Sequence, residues 1–237
     1  GGGNNSAPDS YLGADFDRGE LERDGRFKIT YILPQSPLAL PKEPARVGEY
    51  LVAIDGVELN GRVDLAEQLQ RKSGKRVRAK LNDKPALEGA REVIVQPIDS
   101  GKHTDLRYRD WVRRNGEYVN EKSNGRLGYV HIRAMSYEAY LQFIADLDTE
   151  THSKEGVIID VRFNGGGHIA PFILDVLHRK AYTQTSYRGR MVTPDTNLAG
   201  NRILEKPVIL VTNEHSGSNT EMFSEGFRRL GLGKVVG

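Results

Sequence analysis

Cysteine is absent from the 237 residues. Its absence excludes disulfide bonds, thiolate metal sites and a cysteine nucleophile, and it fits a cytosolic protein as well as a disulfide-free periplasmic one. Long apolar runs are also absent, since no segment reaches the about 18 consecutive apolar residues of a membrane span. Neither sign of charge dominates: 34 Lys and Arg stand against 32 Asp and Glu. The near balance gives no electrostatic footprint for nucleic acid or a membrane surface.

What is present suffices for a folded protein. Hydrophobic residues make up 38% and charged residues 28%, enough for a core in one large or two small domains. Residues 1–10 lack an initiator Met and the basic and apolar regions of a signal peptide. We interpret them as a linker or cloning remnant inside a longer protein. The last residues, LGLGKVVG, end one short strand into what we expect to be a further unit, so the core is expected to be incomplete at its C-terminus.

The sequence pattern of residues 11–98, short apolar runs separated by turn signals, is typical of a small β-rich domain. Asp55-Gly56 is a strong two-residue hairpin signal, and the stretch Ser36–Pro44 (SPLALPKEP) punctuates the apolar runs. One short helix fits Val63–Lys72, with Gly74 closing it. Residues 99–125 are polar and dotted with aromatics, and we interpret them as a connector. Strands are predicted at Arg26–Leu33, Glu49–Ile54, Val77–Leu81 and Val93–Pro97.

Residues 126–237 alternate between strand and helix patterns. Apolar runs predict strands, and apolar residues at helical spacing follow each of the first three, the first behind a possible cap at Ser136. Alternating βα units imply a largely parallel sheet, in which ligands gather at the carboxyl ends of the strands. Lys180–Lys206 is long for a structureless loop. We expect it either to carry a strand and line a substrate cleft, or to be a surface excursion. Strands are predicted at Leu127–Arg133, Gly156–Val161 and Pro207–Thr212.

Ser218 lies where a predicted buried strand gives way to a helix. The stretch Ser218-Asn219-Thr220-Glu221 has the S-x-x-E pattern of a capping box, so the serine could be an ordinary helix cap. The same position also suits a nucleophile. A cap geometry can hold a serine that still attacks a substrate, so the two interpretations are compatible.

A glycine loop, Arg162–His168 (RFNGGGH), leaves the neighbouring strand. Gly165, Gly166 and Gly167 let backbone amides approach a ligand at a helix N-terminus, which favours an oxyanion hole; a tight strand-to-helix turn is the other interpretation. Phosphate binding is weakly indicated, because the Lys and Ser/Thr of a phosphate loop are missing. Combined with the serine, the two loops predict an acyl-transfer site with the amides of Gly166 and Asn219 as oxyanion donors.

A serine nucleophile needs a base, and the histidines supply no clear one. His168 flanks the glycine loop and is the best internal candidate, although a role in shaping the loop is the competing interpretation. His215 precedes Ser218 by three residues, too close for confident geometry. We expect the general base to come from outside this chain.

The motifs DVRFNGGGH, NEHSGSNTEMF and GLGKVVG resemble the C-terminal half of the tricorn protease family, relatives of the carboxyl-terminal processing serine proteases. Upstream, YLGADF, FKITYI, SPLALP, VGEYLVAIDGVEL and LRYRDWVRRN resemble that family's PDZ-like domain and its exit. The resemblance covers nearly all of residues 11–237. It implies a PDZ-like domain over 11–98, a connector over 99–125, and a crotonase-like (ββα spiral) catalytic core over 126–237, hence a mixed α+β and α/β fold.

The same resemblance implies functional roles. Ser218 matches the nucleophile, with Glu221 three residues later, and the amides of Asn219 and Gly166 match the oxyanion hole. The family's catalytic His and helper Ser belong to a domain before the PDZ-like one, and its supporting Glu lies beyond Gly237; the sister family's Lys would also fall beyond that residue. The resemblance implies a serine peptidase that cleaves peptides or unfolded chains through an acyl-enzyme.

The implied enzyme needs no metal or organic cofactor, binds neither nucleic acid nor membrane, and is a cytoplasmic homo-oligomer. Two alternatives stay open. One is a peptide-binding or scaffolding module in which Ser218 is only a cap. The other is a crotonase-type acyl-CoA enzyme, which leaves the PDZ-like part unexplained.

Overall fold

The structure, a computed structural model, describes residues 9–191, 193–194 and 204–237. The chain divides into two units within one long helix, α3 (Ser100–Lys122). One unit extends to Trp111 and the other starts at Val112. Within the described part, no helix has the length and apolarity needed to cross a membrane.

The first unit contains an antiparallel sheet with the strand order β1-β2-β3-β5-β6, and β4 pairs with β3. Its core is built by alternation, as in β5, where Val77, Ala79 and Leu81 are buried and the residues between them are not. The strands are β1 (Ala14–Phe16), β2 (Phe27–Ile32), β3 (Tyr50–Ile54), β4 (Val57–Glu58), β5 (Val77–Asn82) and β6 (Arg91–Val95), and the helices are α1 (Arg18–Asp24) and α2 (Leu65–Leu69).

The Asp55-Gly56 hairpin is confirmed. Both residues have positive φ, 48° and 85°, and Ile54 pairs with Val57 across the turn, as a type I′ turn requires. The helix predicted over Val63–Lys72 is shorter, because extended backbone at Gln70 and a positive φ at Arg71 end it after Leu69.

Two helices were not predicted. Nothing in α1 is buried, and in α3 only Leu106 and Asp110 are buried. The apolar period that indicates a helix is therefore missing from both sequences. The second of these helices occupies most of residues 99–125, the stretch interpreted as a connector.

The second unit contains a parallel four-stranded sheet with the order β12-β11-β8-β7. The helices α4, α5 and α6 each follow a strand, and α4 begins after Ser136 as predicted. His131 at the end of β7 lies opposite Asp160 at the end of β8, and Asp160 lies opposite Val211 at the end of β11. The carboxyl ends of these three strands are therefore level. Bounds are β7 (Leu127–His131), α4 (Tyr137–Thr151), β8 (Gly156–Asp160), α5 (Ala170–His178), β9 (Gln184–Thr185), β10 (Thr193–Pro194), β11 (Val208–Val211), α6 (Asn219–Arg229) and β12 (Gly233–Val236).

The core of this unit fills the space between sheet and helices with large side chains that are fully buried, among them Phe143, Ile159, Leu210, Phe223 and Phe227. Lys180–Lys206 carries strands of its own, since β9 and β10 pair with each other. Residues 192 and 195–203 of that segment lie outside the described residues, and its place in a substrate cleft stays a prediction.

Candidate active site

Two loops leave the aligned carboxyl ends of β8 and β11 and touch each other. Gly166 has a φ of 102°, and a Cβ there would lie 2.8 Å from the Cβ of Ser218 and 3.0 Å from the amide nitrogen of Asn219. Only glycine fits this contact without strain. The structure therefore brings the glycine loop against the serine, as the sequence predicted.

Ser218 is exposed and has an unusual backbone, with φ 55° and ψ −121°. A non-glycine residue in such a conformation carries strain of about 1–3 kcal/mol, and residues of this kind cluster at functional sites. A strained turn between strand and helix is also how nucleophilic serines are presented in α/β-hydrolases. An ordinary cap residue instead has extended backbone.

The capping box around Ser218 is held by backbone contacts. The Ser218 N–H donates to Oε2 of Glu221 at 2.6 Å, and the Glu221 N–H donates to the Ser218 carbonyl oxygen at 2.9 Å. The Ser218 side chain stands at the capping-box position for the Glu221 N–H, but within the described part of the chain its hydroxyl makes no cap hydrogen bond of normal length and angle. Glu221 thus fixes the backbone of the serine and leaves its Oγ for another partner.

Asn219 is the first residue of α6. The Oδ1 of its side chain accepts a hydrogen bond from the Ala170 N–H at 3.0 Å and so joins the starts of α5 and α6. The next two amides of α6 donate to Gly217 and Ser218, whereas the Asn219 N–H has no hydrogen-bond acceptor among the residues described. It can donate to an anion beside Ser218, where the helix dipole adds to the attraction.

The amide of Gly166 points elsewhere. It donates to Oδ1 of Asn164 at 3.0 Å, so in this structure the amide is engaged inside the loop. Gly167, with φ 150°, passes the backbone of Met135 closely; the Met135 N–H donates to the Gly166 carbonyl at 3.0 Å. Gly165 is exposed, and a Cβ there would meet nothing within 4 Å, so glycine is not sterically required at that position.

Asn164 is the residue that sequence reasoning missed. Its side chain is fully buried. The amide donates to the Ile132 carbonyl at 2.9 Å, and Oδ1 accepts from the Thr220 hydroxyl at 2.8 Å as well as from Gly166. Its carbonyl accepts the Gly217 N–H at 3.0 Å. One side chain thus ties the exit of β7, the glycine loop and α6 together. A polar residue in the short loop after a buried strand, four residues beyond Asp160, was the available signal.

A second set of hydrogen bonds joins the same two loops. The Ser216 hydroxyl donates to the Val161 carbonyl at 2.8 Å, and Oδ1 of Asn213 accepts the Phe163 N–H at 3.1 Å. Ser216 is itself buried. The loop that carries Ser218 is therefore fixed at several points, which limits the motion of the serine.

Buried polar side chains support the start of the glycine loop. Asp160 is fully buried and receives hydrogen bonds from the Tyr129 hydroxyl at 2.7 Å and from the Arg162 guanidinium at 2.6 Å. Burial and the Asp160 charge raise the pKa of Tyr129, which keeps its proton. Burial lowers the pKa of His131, whose Nε2 lies 2.9 Å from the Arg162 carbonyl oxygen. A neutral imidazole that donates from Nε2 fits that contact.

Neither candidate base reaches the serine. The His168 backbone N–H donates to Met135 at 2.8 Å, and its side chain is exposed. His215 lies 3.6 Å from a carboxylate oxygen of Glu214. No imidazole hydrogen-bonds to the Ser218 hydroxyl among the residues described. Nor does that part of the chain gather three His, Asp or Glu side chains that could hold a metal ion.

Comparison with known proteins identifies the family to which the chain is related. The profile of Peptidase family S41 matches residues 126–237, and the profile of the tricorn protease PDZ domain matches residues 10–100. The chain belongs to the tricorn protease family. The match to the two profiles and the contact between the loops of Gly166 and Ser218 agree with the family named from the motifs.

Individual relatives support this membership. A tricorn protease of Thermoplasma volcanium is 33% identical over 203 residues, 86% of this chain and 19% of the relative. Tricorn protease homolog 1 of Streptomyces coelicolor is 34% identical over 247 residues, 100% of this chain and 22% of the relative. A crystal structure of the tricorn protease matches 96% of this chain and 22% of its own, with 27% identity and a TM-score of 0.76. The chain spans about a fifth of the length of these relatives.

Proposed function

We propose that this chain carries the nucleophile and part of the oxyanion hole of a serine peptidase that cleaves peptides or unfolded polypeptides. One observation carries the proposal: Ser218 is exposed, has a strained backbone, and is fixed through its backbone N–H by the carboxylate of Glu221. The family membership agrees with it. The tricorn-type core over 126–237 is proposed to have the crotonase-like arrangement and to follow a PDZ-like domain over 11–98 and a connector over 99–125.

The proposed reaction has two stages. Oγ of Ser218 attacks the scissile carbonyl carbon while its proton passes to a general base. The tetrahedral oxyanion accepts the Asn219 N–H. The C–N bond then breaks, the amine leaves with the proton, and water hydrolyses the ester on Ser218. Gly166 can serve as the second donor only if its N–H turns from Asn164 or is shared with it, and the neighbouring amides of Gly165 and Gly167 are the other candidates.

The general base is proposed to lie in a segment of the full-length protein outside these 237 residues. Two facts support this. The chain spans about a fifth of its relatives, and neither His168 nor His215 bonds to the serine in the described structure. Loss of one member of such a catalytic set costs about 10⁴–10⁶ in turnover. The 237 residues alone are therefore expected to be nearly inactive; Ser218-dependent turnover by them would make one of these two histidines the base.

The experiment is a pre-steady-state assay on the full-length protein with a peptide 4-nitrophenyl ester. We expect a burst of nitrophenol equal to the enzyme concentration, and an acyl group on Ser218 in acid-quenched samples analysed by mass spectrometry. Ser218→Ala should lose both. Turnover that survives this substitution would contradict the proposal. The wider proposal of a cytoplasmic homo-oligomer rests on family resemblance and is tested by fractionation and by mass in solution.

One observation favours a second candidate, a peptide-binding module. A cavity of about 270 Å³ lies between the edge strand β1 and helix α2, with Leu12, Phe16, Leu65 and Leu69 in its lining. An extended peptide could add to the β1 edge there. Saturable binding of peptides by the full-length protein, without any Ser218-dependent turnover, would favour this candidate over the peptidase.

A further inference from the structure

Phe163 has a backbone conformation that a bulky residue rarely adopts. Its φ is 63°, in the left-handed region that favours glycine, asparagine and aspartate. It directly precedes Asn164, the buried residue whose hydrogen bonds join the two loops. Ser218 and Phe163 are the two non-glycine residues with positive φ in the paired loops. Strain of this kind persists where the surrounding structure enforces it, most often at functional sites.

The ring of Phe163 faces outwards. It is 59% exposed, although an apolar ring of this size normally gains stability from burial. The imidazole of His215 stacks on it, with 5.6 Å between the ring centroids and 23° between the ring planes. One ring comes from the glycine loop and the other from the serine loop, so the pair bridges the two loops at the surface.

Hydrogen bonds fix this pair close to the serine. The Phe163 N–H is bound by Asn213 Oδ1 at 3.1 Å. The carbonyl of the next residue, Asn164, accepts the N–H of Gly217 at 3.0 Å, and Gly217 directly precedes Ser218. The ring pair and Ser218 therefore belong to the same two hydrogen-bonded loops.

We propose that Phe163 and His215 form an aromatic platform that binds a large apolar, preferably aromatic, side chain of the substrate next to the scissile bond. The inference deepens the proposed function and rests on it. The exposed ring face supplies the contact, because aromatic pairs attract beyond the area they bury. The two rings act as specificity-determining groups that take no part in proton transfer.

The test measures kcat/KM of the full-length protein on peptides that carry Phe or Ala at each position flanking the scissile bond. At one position Phe should be preferred. Phe163→Gly should lower that preference, measured as the ratio of kcat/KM for the Phe peptide to kcat/KM for the Ala peptide, about 2- to 10-fold. Glycine accepts the positive φ, so this variant should keep its Tm. His215→Ala should lower the preference less, and His215→Phe should retain it.

Tyr118→Ala is the matched control, because Tyr118 is a similarly exposed ring (62%) on α3, outside both loops. A fluorophosphonate label at Ser218 is followed in every variant. If the label is present and Phe163→Gly leaves the preference unchanged, the platform is overturned and the peptidase stands. If the wild type gives neither label nor turnover, both proposals fail.

Discussion

Two serines begin helices that follow strands of the same parallel sheet, yet their local structures differ. Ser136, before α4, has extended backbone (φ −107°, ψ 163°), and its hydroxyl accepts the Ala139 N–H at 3.3 Å. Ser218, before α6, has φ 55° and ψ −121°, and its hydroxyl makes no cap bond within the described structure. Ser136 stabilises its helix as caps usually do. At Ser218 the carboxylate of Glu221 binds the backbone N–H instead, and the positive φ of the serine strains the backbone.

The difference shows how a capping pattern can hold a reactive side chain. At the junction of β7 and α4, the serine hydroxyl is occupied by the hydrogen bond that it accepts from the Ala139 N–H of the helix. At the junction of β11 and α6, Oε2 of Glu221 binds the backbone of the serine, and the glycine loop packs against its Cβ. The hydroxyl is then left for chemistry. A substitution of Ser218 should therefore change mainly turnover, whereas a substitution of Ser136 should change mainly the free energy of unfolding.

The largest difference is expected for the serines themselves. In the full-length protein, Ser218→Gly should lower turnover by about 10⁴–10⁶ and yet raise the free energy of unfolding by about 1 kcal/mol, because glycine relieves the positive φ. Steady-state kinetics and urea denaturation measure the two effects. A variant that keeps its activity would place Ser218 with Ser136 as a simple cap.

The next effect concerns the first amide of each helix. Replacing the Asn219 residue by an α-hydroxy acid turns its N–H into an ester oxygen and removes one oxyanion donor. Acylation of Ser218 should slow by about 10²–10³. The same replacement at Tyr137, the first residue of α4, is the control and should leave acylation unchanged. Equal rates in both variants would remove Asn219 from the oxyanion hole.

Asn164 connects the two junctions, since it bonds to Ile132 after β7 and to Thr220 in α6. Asn164→Ala leaves several buried partners unsatisfied, so the free energy of unfolding should fall by about 2–4 kcal/mol, and labelling of Ser218 should slow. The exposed Asn120→Ala is the control. A variant as stable and as readily labelled as the wild type would show that the two loops hold each other without this side chain.

A smaller effect is expected at the capped junction. Ser136→Ala removes the side-chain acceptor of the Ala139 N–H, which should cost about 1 kcal/mol of stability. Turnover by Ser218 should not change. Ser136→Asp, which restores an acceptor, should recover the stability. A loss of turnover in the alanine variant at full folding would mean that the two junctions are coupled.

The smallest expected effect is the contribution of His131, at the end of β7, to the pH dependence of the free energy of unfolding. Burial holds the pKa of His131 below its unfolded value of about 6.5. As the pH falls below that value, the unfolded chain takes up a proton before the folded one, so the free energy of unfolding should decrease. His131→Gln should flatten the slope, with exposed His152→Gln as control. An unchanged slope would show that His131 does not contribute.

The sequence allowed most of the second unit to be predicted, because its strands are continuous apolar runs and its helices have a clear apolar period. The cap at Ser136 and the contact between the two loops followed from the same patterns. The helices α1 and α3 could not be found this way, because polar residues dominate them and few of their side chains are buried.

Parts of the site depend on contacts that no local pattern contains. Asn164 bonds to Ile132 and Thr220, which are 32 and 56 residues away in the chain. The capping-box pattern does not reveal that Ser218 has a positive φ, since the same letters fit an extended cap. The direction of the Gly166 amide depends on Asn164, so its engagement inside the loop could not be foreseen.

The most direct test of the difference between the two serines is covalent labelling. The full-length protein would be treated with a fluorophosphonate, and the adduct mapped by mass spectrometry beside Ser218→Ala and Ser136→Ala. We predict an adduct on Ser218 that disappears in the first variant and persists in the second. A folded protein that takes no label, or that keeps the label after Ser218→Ala, would contradict the account and leave Ser218 as a helix cap.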